Sequence, residues 1–167
     1  MPVSPLNPRV AVYTGTFDPV HLGHLDVIRR GCGLFDRLIV GVGINPDKAT
    51  VFDIDERVNL LQVVTSEFHN VEVLPFTGLA VGFVRQLGAR IMIRGLRTLS
   101  DMEYEFTMSL MNLHLDPGIE TVFLMAKEEF SHVSSSLLRQ IAALGGELGK
   151  FLPEPVRKAL IAKTKGR

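Results

Sequence analysis

Apolar residues along this chain follow two alternating patterns, and each pattern predicts a different kind of element. Short apolar runs rich in β-branched residues are typical of strands covered on both faces of a sheet. The predicted strands are RVAVYTG (9–15), RLIVGVGI (37–44), VEVLPF (71–76), ARIMIRG (89–95) and ETVFLMA (120–126). Between them, apolar residues recur at spacings of three and four, as Leu25, Ile28 and Cys32 do, which indicates helices.

Polar residues before the apolar stripes suggest where several helices begin. Asp55 is predicted to cap the second helix, and Ser100 with Glu103 three residues later forms a capping-box pattern before another. Further helices are predicted over about Leu79–Leu87, over the SSSLLRQIAAL segment (134–144) and around PEPVRKALIAK (153–163).

Strands that alternate with helices predict an α/β fold with a doubly wound, Rossmann-like parallel sheet. We expect a single domain over residues 10–167 that ends in a C-terminal helix. Three prolines within the first eight residues predict an irregular N-terminal tail over residues 1–9. Ligands of such sheets bind beyond the carboxyl ends of the strands, at the switch point in strand order, so the loops that follow the strands are the candidate site.

Composition narrows the function classes. The 167 residues include 18 basic and 18 acidic ones, so electrostatic binding to nucleic acid or to an anionic membrane is not expected. No apolar run approaches the roughly 20 residues of a membrane helix, and the N-terminal residues lack a signal-peptide pattern, which predicts a cytoplasmic protein. The single cysteine, Cys32, excludes an internal disulfide and a cysteine-rich zinc module.

The loop after the first strand, in the segment YTGTFDPVHLGH (13–24), has features of a phosphate cradle. Gly15 permits a tight turn, Thr16 offers a hydroxyl and an N–H, and His24 begins a helix where free N–H groups attract anions. Two other interpretations remain open: a metal site at His21 and His24, or a histidine that only caps the helix. Catalytic zinc needs a third protein ligand, and no other histidine has suitable spacing, so no protein-bound metal is predicted.

Three later loops add possible anion-binding groups. Arg94 and Arg97 flank a glycine after one strand, Lys48 lies in a turn after another, and Ser134–Ser136 begin a helix. Each group alone is more typical of a solvent-exposed rim or a helix cap than of a binding site, but their joint placement at strand ends favours a phosphate site. The chain lacks a dinucleotide fingerprint, a P-loop and a nucleophile elbow.

Several of these segments together resemble a known family. HLGH (21–24) is similar to the signature of the nucleotidylyltransferase superfamily. YTGTFDP, IRGLRTLSDMEYE, MNLHL, FLMA and SSSLLR resemble the bacterial phosphopantetheine adenylyltransferases, in register from about residue 10 to residue 163. The resemblance implies transfer of AMP from ATP to 4′-phosphopantetheine, giving dephospho-coenzyme A and pyrophosphate. It also implies Mg²⁺ as cofactor and a homohexamer.

The same resemblance implies roles for individual residues. The residues implied to act in catalysis are His24, Lys48 and Arg97. The residues implied to bind ATP are Thr16, Phe17, His24, Gly95, Leu96, Arg97, Glu105, Phe130, Ser131, His132, Val133, Ser134, Ser135 and Ser136. The residues implied to bind phosphopantetheine are Thr16, Lys48, Ala80 and Arg94.

The chain departs from the family pattern at a few of these positions. His21 stands where these enzymes usually have threonine, which makes the loop similar to that of nicotinate-mononucleotide adenylyltransferases. Ala80 is smaller than the leucine or methionine expected there. The alternatives to the main interpretation are therefore another nucleotidylyltransferase, a nucleotide-binding module without catalysis, or a nucleic-acid-binding domain of synthetase type, which zero net charge disfavours.

Overall fold

The structure, a computed structural model, describes residues 5–165 and has the predicted alternation of strands and helices. The strands are β1 (Asn7–Gly15), β2 (Arg37–Ile44), β3 (Val71–Thr77), β4 (Ala89–Leu96) and β5 (Glu120–Met125). The helices are α1 (Leu22–Leu34), α2 (Ile54–Thr65), α3 (Ala80–Gln86), α4 (Leu99–Leu115), α5 (Ser135–Ala143) and α6 (Glu154–Lys165), with a 3₁₀ turn at Glu128–Phe130.

The five strands form one parallel sheet in the order β3-β2-β1-β4-β5. The chain builds outward from β1 to β3 and then returns to place β4 on the other side of β1. The switch point therefore lies between β1 and β4, and the crevice beyond their carboxyl ends is where a ligand of this fold binds. This order confirms the doubly wound α/β fold expected from the sequence.

Both faces of the sheet are buried, and alternation along the strands explains how. In β1, Ala11 and Tyr13 face a core shared with α1, α2, α5 and α6, while Val12 faces a second core that includes α3 residues. The C-terminal helix α6 contributes Val156 and Leu160, both fully buried, to the first core. The predicted C-terminal helix is thus part of the domain.

Helix α4 differs from the other helices because it exposes much of its apolar surface. Only Glu105 of this helix is buried. Its exposed large apolar residues are Leu99, Tyr104, Phe106, Met108, Leu110, Met111, Leu113 and Leu115. We call this set the outer surface of α4.

Three elements begin two residues earlier than predicted: β1, α2 and α4. The first strand begins at Asn7 rather than Arg9, because the Asn7 N–H donates to the Gly88 carbonyl (2.8 Å) and Asn7 pairs with β4. Residues 7–9 of the predicted irregular tail are therefore strand, and residues 1–4 of it lie outside the described part of the chain.

Two predicted helix caps are wrong for a common reason. Asp53, not Asp55, caps α2 and forms a reciprocal pair of hydrogen bonds with Glu56 at 2.8 and 2.9 Å. Thr98, not Ser100, caps α4 by accepting a hydrogen bond from the Asp101 N–H (3.2 Å). In both places two possible cap residues are separated by one apolar residue, and the extended backbone of the earlier one decides which side chain reaches the free N–H groups.

Candidate active site

A cavity of about 320 Å³ opens beyond the carboxyl ends of β1 and β4, at the switch point. The loops after β1, β2 and β4 and the start of α5 all contribute to its wall. The convergence of four loops that the sequence predicts is therefore confirmed. The predicted site residues that line the cavity are Thr16, Phe17, His24, Lys48, Arg94, Gly95, Arg97, Glu105, Phe130, Ser134, Ser135 and Ser136.

Five predicted site residues do not line this cavity. Leu96 and Val133 are buried in the protein. The Ser131 hydroxyl donates to the Glu128 carbonyl (2.9 Å), and the His132 ring lies edge-on to Phe151. Ala80 begins α3 and packs beside the second core.

The tight turn after β1 depends on a close approach of Phe17 to Gly15. A Cβ atom on Gly15 would lie 2.9 Å from the Phe17 ring, so a larger residue does not fit there. The ring is buried and meets Tyr13 and His24 edge-on, at centroid distances of 5.4 and 4.9 Å. The backbone of Phe17 has φ +51°, a left-handed conformation that is uncommon outside glycine.

His21 and His24 cap helix α1 together. The His24 N–H donates to His21 Nδ1 (3.3 Å), and the His21 N–H donates to His24 Nδ1 (3.2 Å). The two rings stack with centroids 3.6 Å apart and an angle of 20° between their planes. The capping role considered for a histidine is thus real, and it leaves the Nε2 atom of each ring for another partner.

Burial keeps both histidines neutral. It lowers the pKa of His21 to about 3, with a smaller contribution from the charge of Arg97. Burial also lowers the pKa of His24 well below its ordinary value, assisted by His21 and the nearby arginines. Because Nδ1 of neutral His24 accepts a hydrogen bond, its proton is on Nε2. His24, on the cavity wall, can therefore donate to a phosphoryl oxygen without carrying charge.

Two arginines at the end of β4 also line the cavity and are paired with carboxylates of α4. Arg94 makes a bidentate contact with Glu105 (2.6 and 2.7 Å) and donates to the Thr14 carbonyl (2.8 Å). Arg97 makes a similar contact with Asp101 (2.8 and 3.2 Å) and donates to the Val133 carbonyl (2.6 Å). The guanidinium group of each arginine is thus held in place before any phosphate binds.

The third predicted cation, Lys48, is on the exposed loop after β2. This loop is attached to the β1 loop through Asp18, whose carboxylate accepts hydrogen bonds from the N–H groups of Val51 and Phe52 at 2.9 Å each. The Asp18 carbonyl accepts a further bond from Arg139 of α5 (2.6 Å). Buried Asp18 therefore links three of the segments that form the cavity.

The three serines at the start of α5 have distinct local partners. The Ser134 hydroxyl caps the helix by accepting from the Leu137 N–H (3.2 Å), as the simpler interpretation of this cluster predicts. The Ser135 hydroxyl donates to the Pro19 carbonyl (2.8 Å), which attaches α5 to the β1 loop. Ser136 accepts a hydrogen bond from Arg139 (3.4 Å) at the cavity.

Comparison with known proteins shows the family of the chain. The chain matches the cytidylyltransferase-like family over residues 12–141. It is 55% identical to the phosphopantetheine adenylyltransferase of Rhodopirellula baltica over 95% of this chain and 90% of that protein. A second enzyme of this name, from Clostridium botulinum, is 48% identical over 94% of this chain and 99% of its own length. The chain belongs to the phosphopantetheine adenylyltransferase family.

A solved structure agrees with the fold. It is a Vibrio parahaemolyticus protein provisionally described as a nicotinate-nucleotide adenylyltransferase, with a TM-score of 0.69. The match covers 92% of this chain and 91% of that one at 16% identity, so it supports the Rossmann-like architecture alone. The family relationship, and not this structural match, makes the chain a nucleotidyltransferase of coenzyme A biosynthesis.

Sequence reasoning missed three charged residues of the cavity wall: Asp18, Asp101 and Arg139. Two had a usable signal. Asp101 follows Arg97 by four residues at a helix start, the spacing of a side-chain ion pair, and Arg139 follows Ser136 by three. The contacts of Asp18 join segments more than 30 residues apart and had no such local sign.

Two kinds of feature are absent from residues 5–165. No helix in this range is long and apolar enough to cross a membrane. No group of three or more His, Cys, Asp or Glu side chains in the same range could hold a metal ion.

Proposed function

We propose that this protein transfers the adenylyl group of ATP to 4′-phosphopantetheine. In this reaction a phosphate oxygen of phosphopantetheine attacks the α-phosphorus of ATP, the bond to the bridging oxygen of the β-phosphate breaks, and pyrophosphate leaves. The product is dephospho-coenzyme A. The nucleophile is a phosphate monoester with a second pKa of about 6, so it is already ionised near neutral pH and needs no general base.

The observation that carries this proposal is the neutral His24 donor on one wall of a cavity that also holds Lys48, Arg94 and Arg97. Attack of one anion on another requires preorganised donors and positioning more than proton transfer. We propose that His24 Nε2–H donates to an α-phosphate oxygen as negative charge grows there. A neutral donor suits this role because it loses no proton to the ionised nucleophile.

For the substrates we propose the roles that the family resemblance implies for the cavity-lining residues. Lys48 and Arg94 would hold the phosphate of phosphopantetheine, with Thr16 near both substrates. Arg97 and the Ser134–Ser136 segment would hold the triphosphate. Ala80, Leu96, Ser131, His132 and Val133 do not line the cavity, so any contact of theirs with substrate would be through an extension of the site.

We propose that Mg²⁺ enters as part of the ATP substrate. The carboxylates of the cavity already accept bonds, Asp18 from two amides, Asp101 from Arg97 and Glu105 from Arg94, so they do not form a free oxygen set for a resident ion. Four basic and three acidic side chains line the cavity, which leaves little excess positive charge for a triphosphate. Magnesium bound to phosphate oxygens would supply the missing charge.

We also propose a homo-oligomer, with the hexamer of the family resemblance as the expected form. The outer surface of α4 supports this, because eight exposed large apolar side chains on one helix are typical of an interface. Light scattering coupled to gel filtration measures the assembly directly.

We propose that the protein uses its substrate ATP in the cytoplasm and that it binds neither nucleic acid nor membrane.

The test of the proposed function is pyrophosphate release from ATP with three acceptors assayed in parallel. They are 4′-phosphopantetheine, nicotinate mononucleotide and glycerol phosphate. We expect turnover with phosphopantetheine and little with the others. The second acceptor tests the one feature that favours a different reaction, His21 in the HLGH segment. Preference for nicotinate mononucleotide would replace the proposal, and no release with any acceptor would contradict adenylyl transfer.

A further inference from the structure

Arg57 is a buried arginine of α2 that donates to three backbone carbonyls, one of them in the loop after β1. Its Nη1 atom donates to the carbonyl oxygens of Thr16 (2.7 Å) and Gly43 (3.0 Å), and its Nε atom donates to the Asp53 carbonyl (3.4 Å). The residue is 4% exposed. Among the residues the structure describes, no carboxylate pairs with it within 4.0 Å. Burial lowers the pKa of Arg57, and the charges of Asp18 and Asp53 offset this only in part, so its contacts with these carbonyls need an explanation.

The Thr16 carbonyl belongs to the same peptide group as the Phe17 N–H. In a trans peptide group the carbonyl and the N–H point in opposite directions. Because the Thr16 carbonyl points toward Arg57 of α2, the Phe17 N–H points away from α2. Both residues lie on the cavity wall. Within residues 5–165 no acceptor takes a hydrogen bond from the Phe17 N–H. It is therefore available to a ligand in the cavity.

The backbone of Phe17 would adopt another conformation without this contact. Its φ of +51° is left-handed, a conformation that is unfavourable for a residue other than glycine. Rotation of the Thr16–Phe17 peptide group by half a turn would return φ of Phe17 to negative values. After this rotation the Thr16 carbonyl oxygen would face the cavity and the Phe17 N–H would not. The ligand would then meet a hydrogen-bond acceptor in place of a donor.

We propose that Arg57 is a positioning residue that holds the Thr16–Phe17 peptide group so that the Phe17 N–H faces the phosphates of the bound nucleotide. Arg57 does not line the cavity itself and acts only through this peptide group. The bond to Gly43 fixes Arg57 against the end of β2, so the loop after β1 is set relative to the sheet. This inference rests on the proposed function, since it requires that the cavity binds nucleotide phosphates.

The experiment compares Arg57→Met, Arg57→Lys and the unaltered protein in steady-state turnover. Methionine keeps much of the side-chain volume but donates no hydrogen bond, so kcat should fall about 100-fold, as for loss of one preorganised donor. Lysine can donate to both carbonyls and should restore kcat to within about tenfold of the unaltered protein. A purely structural role predicts no rescue of kcat beyond the rescue of stability.

The matched control is Leu61→Ala, one turn further along the same helix. Leu61 is fully buried in the first core, so its truncation leaves a cavity and lowers the stability of the protein without removing a contact to Thr16. We expect Leu61→Ala to keep its kcat per folded molecule. A kcat of Arg57→Met within threefold of the unaltered protein, or an equal loss in Leu61→Ala, would overturn the inference.

A second measurement does not depend on how well Arg57→Met folds. In unaltered protein labelled with ¹⁵N-phenylalanine, α,β-methylene ATP should shift the Phe17 amide signal and slow its hydrogen exchange. A Phe17 amide that does not respond to the bound analogue contradicts the inference even if every variant unfolds. Failure of the proposed function is distinct, because the unaltered protein would then release no pyrophosphate with any acceptor.

Discussion

The two walls of the cavity hold their polar groups in opposite ways. We use the name neutral wall for the histidine pair of the β1–α1 loop, apart from Asp18 of the same loop: His21 and His24 bond to each other's backbone, and both rings stay uncharged. The β4–α4 wall is charged and partly exposed, and its arginines Arg94 and Arg97 are each paired with a carboxylate one helical turn apart on α4.

The difference shows two ways of preparing a site for phosphate. Donors on the neutral wall are oriented by bonds that a ligand does not break, so they act at the reacting phosphorus with no rearrangement. Cations on the charged wall are oriented by carboxylates that also attract them, so a phosphate must compete for part of their hydrogen-bonding capacity. We therefore expect the neutral wall to govern kcat and the charged wall to govern substrate affinity.

The largest effect is expected for His24→Ala, which breaks the neutral wall. Loss of one preorganised donor costs about 2.7–4 kcal/mol in comparable sites, so kcat should fall about 10²- to 10³-fold while ATP still binds. Turnover and binding of α,β-methylene ATP measure the two quantities separately. His69→Ala, at an exposed position away from the cavity, is the control and should be unaffected. Near-normal turnover of His24→Ala would remove the proposed role.

The second prediction concerns the stability of the folded protein at acidic pH, to which the two histidines of the neutral wall contribute. Both histidines have pKa values lowered in the folded protein, so below the ordinary value of about 6.5 the unfolded chain binds more protons than the folded one. Stability therefore decreases as pH falls. Between pH 7 and pH 5 the lowered pKa of His21 should contribute a loss of about 2 kcal/mol, and His24 should contribute a loss in the same direction.

His21→Thr isolates one of these contributions, since threonine can still cap the helix but does not titrate. Urea unfolding of both proteins at pH 7, 6 and 5 and at one protein concentration should give a shallower pH dependence for the variant. His69→Thr, at an exposed position, should follow the unaltered protein. Parallel curves for His21→Thr and the unaltered protein would show that His21 is not held neutral by the fold.

The fold is predictable from the sequence because apolar residues recur at regular spacings along the chain. Spacing alone separates strands from helices, and a parallel sheet brings the carboxyl ends of its strands to one edge, so loops from Thr16 to Ser136 meet there. The caps of α2 and α4 are predicted two residues too late, at Asp55 and Ser100, because two residues near each helix start are acceptable caps and the backbone decides between them.

The direction of each side chain was less predictable. His132 and Ser136 follow the same strand, yet His132 packs on Phe151 while Ser136 lines the cavity. Asp18 and Arg57 organise the site through bonds to backbone atoms over 30 residues away, which leave no local pattern. Sequence reasoning also treated capping and phosphate binding by a histidine as alternatives, whereas Nδ1 of His24 does the first and leaves Nε2 for the second.

A smaller effect is expected for Lys48→Met on the exposed edge of the charged wall. A charge-assisted hydrogen bond contributes about 1.5–3 kcal/mol, so kcat/KM for phosphopantetheine should fall roughly 10- to 100-fold. The KM for ATP should change much less, because the proposed partner of Lys48 is the other substrate. Lys150→Met, at an exposed site outside the cavity, is the control. Equal damage to the use of both substrates would contradict this assignment.

The smallest effect tests whether the carboxylates of the charged wall compete with phosphate. Asp101→Asn keeps the shape of the side chain and an acceptor for Arg97 but removes the charge, so ATP binding should tighten by about two- to fivefold, the energy of a partly exposed ion pair. Calorimetry with α,β-methylene ATP should show a gain that shrinks with added salt, because salt screens such pairs. Asp36→Asn, which breaks the exposed pair with Arg9, should give no gain. Weaker binding by Asp101→Asn would instead mean that the carboxylate serves to orient Arg97, and both walls would then be prepared by the same means.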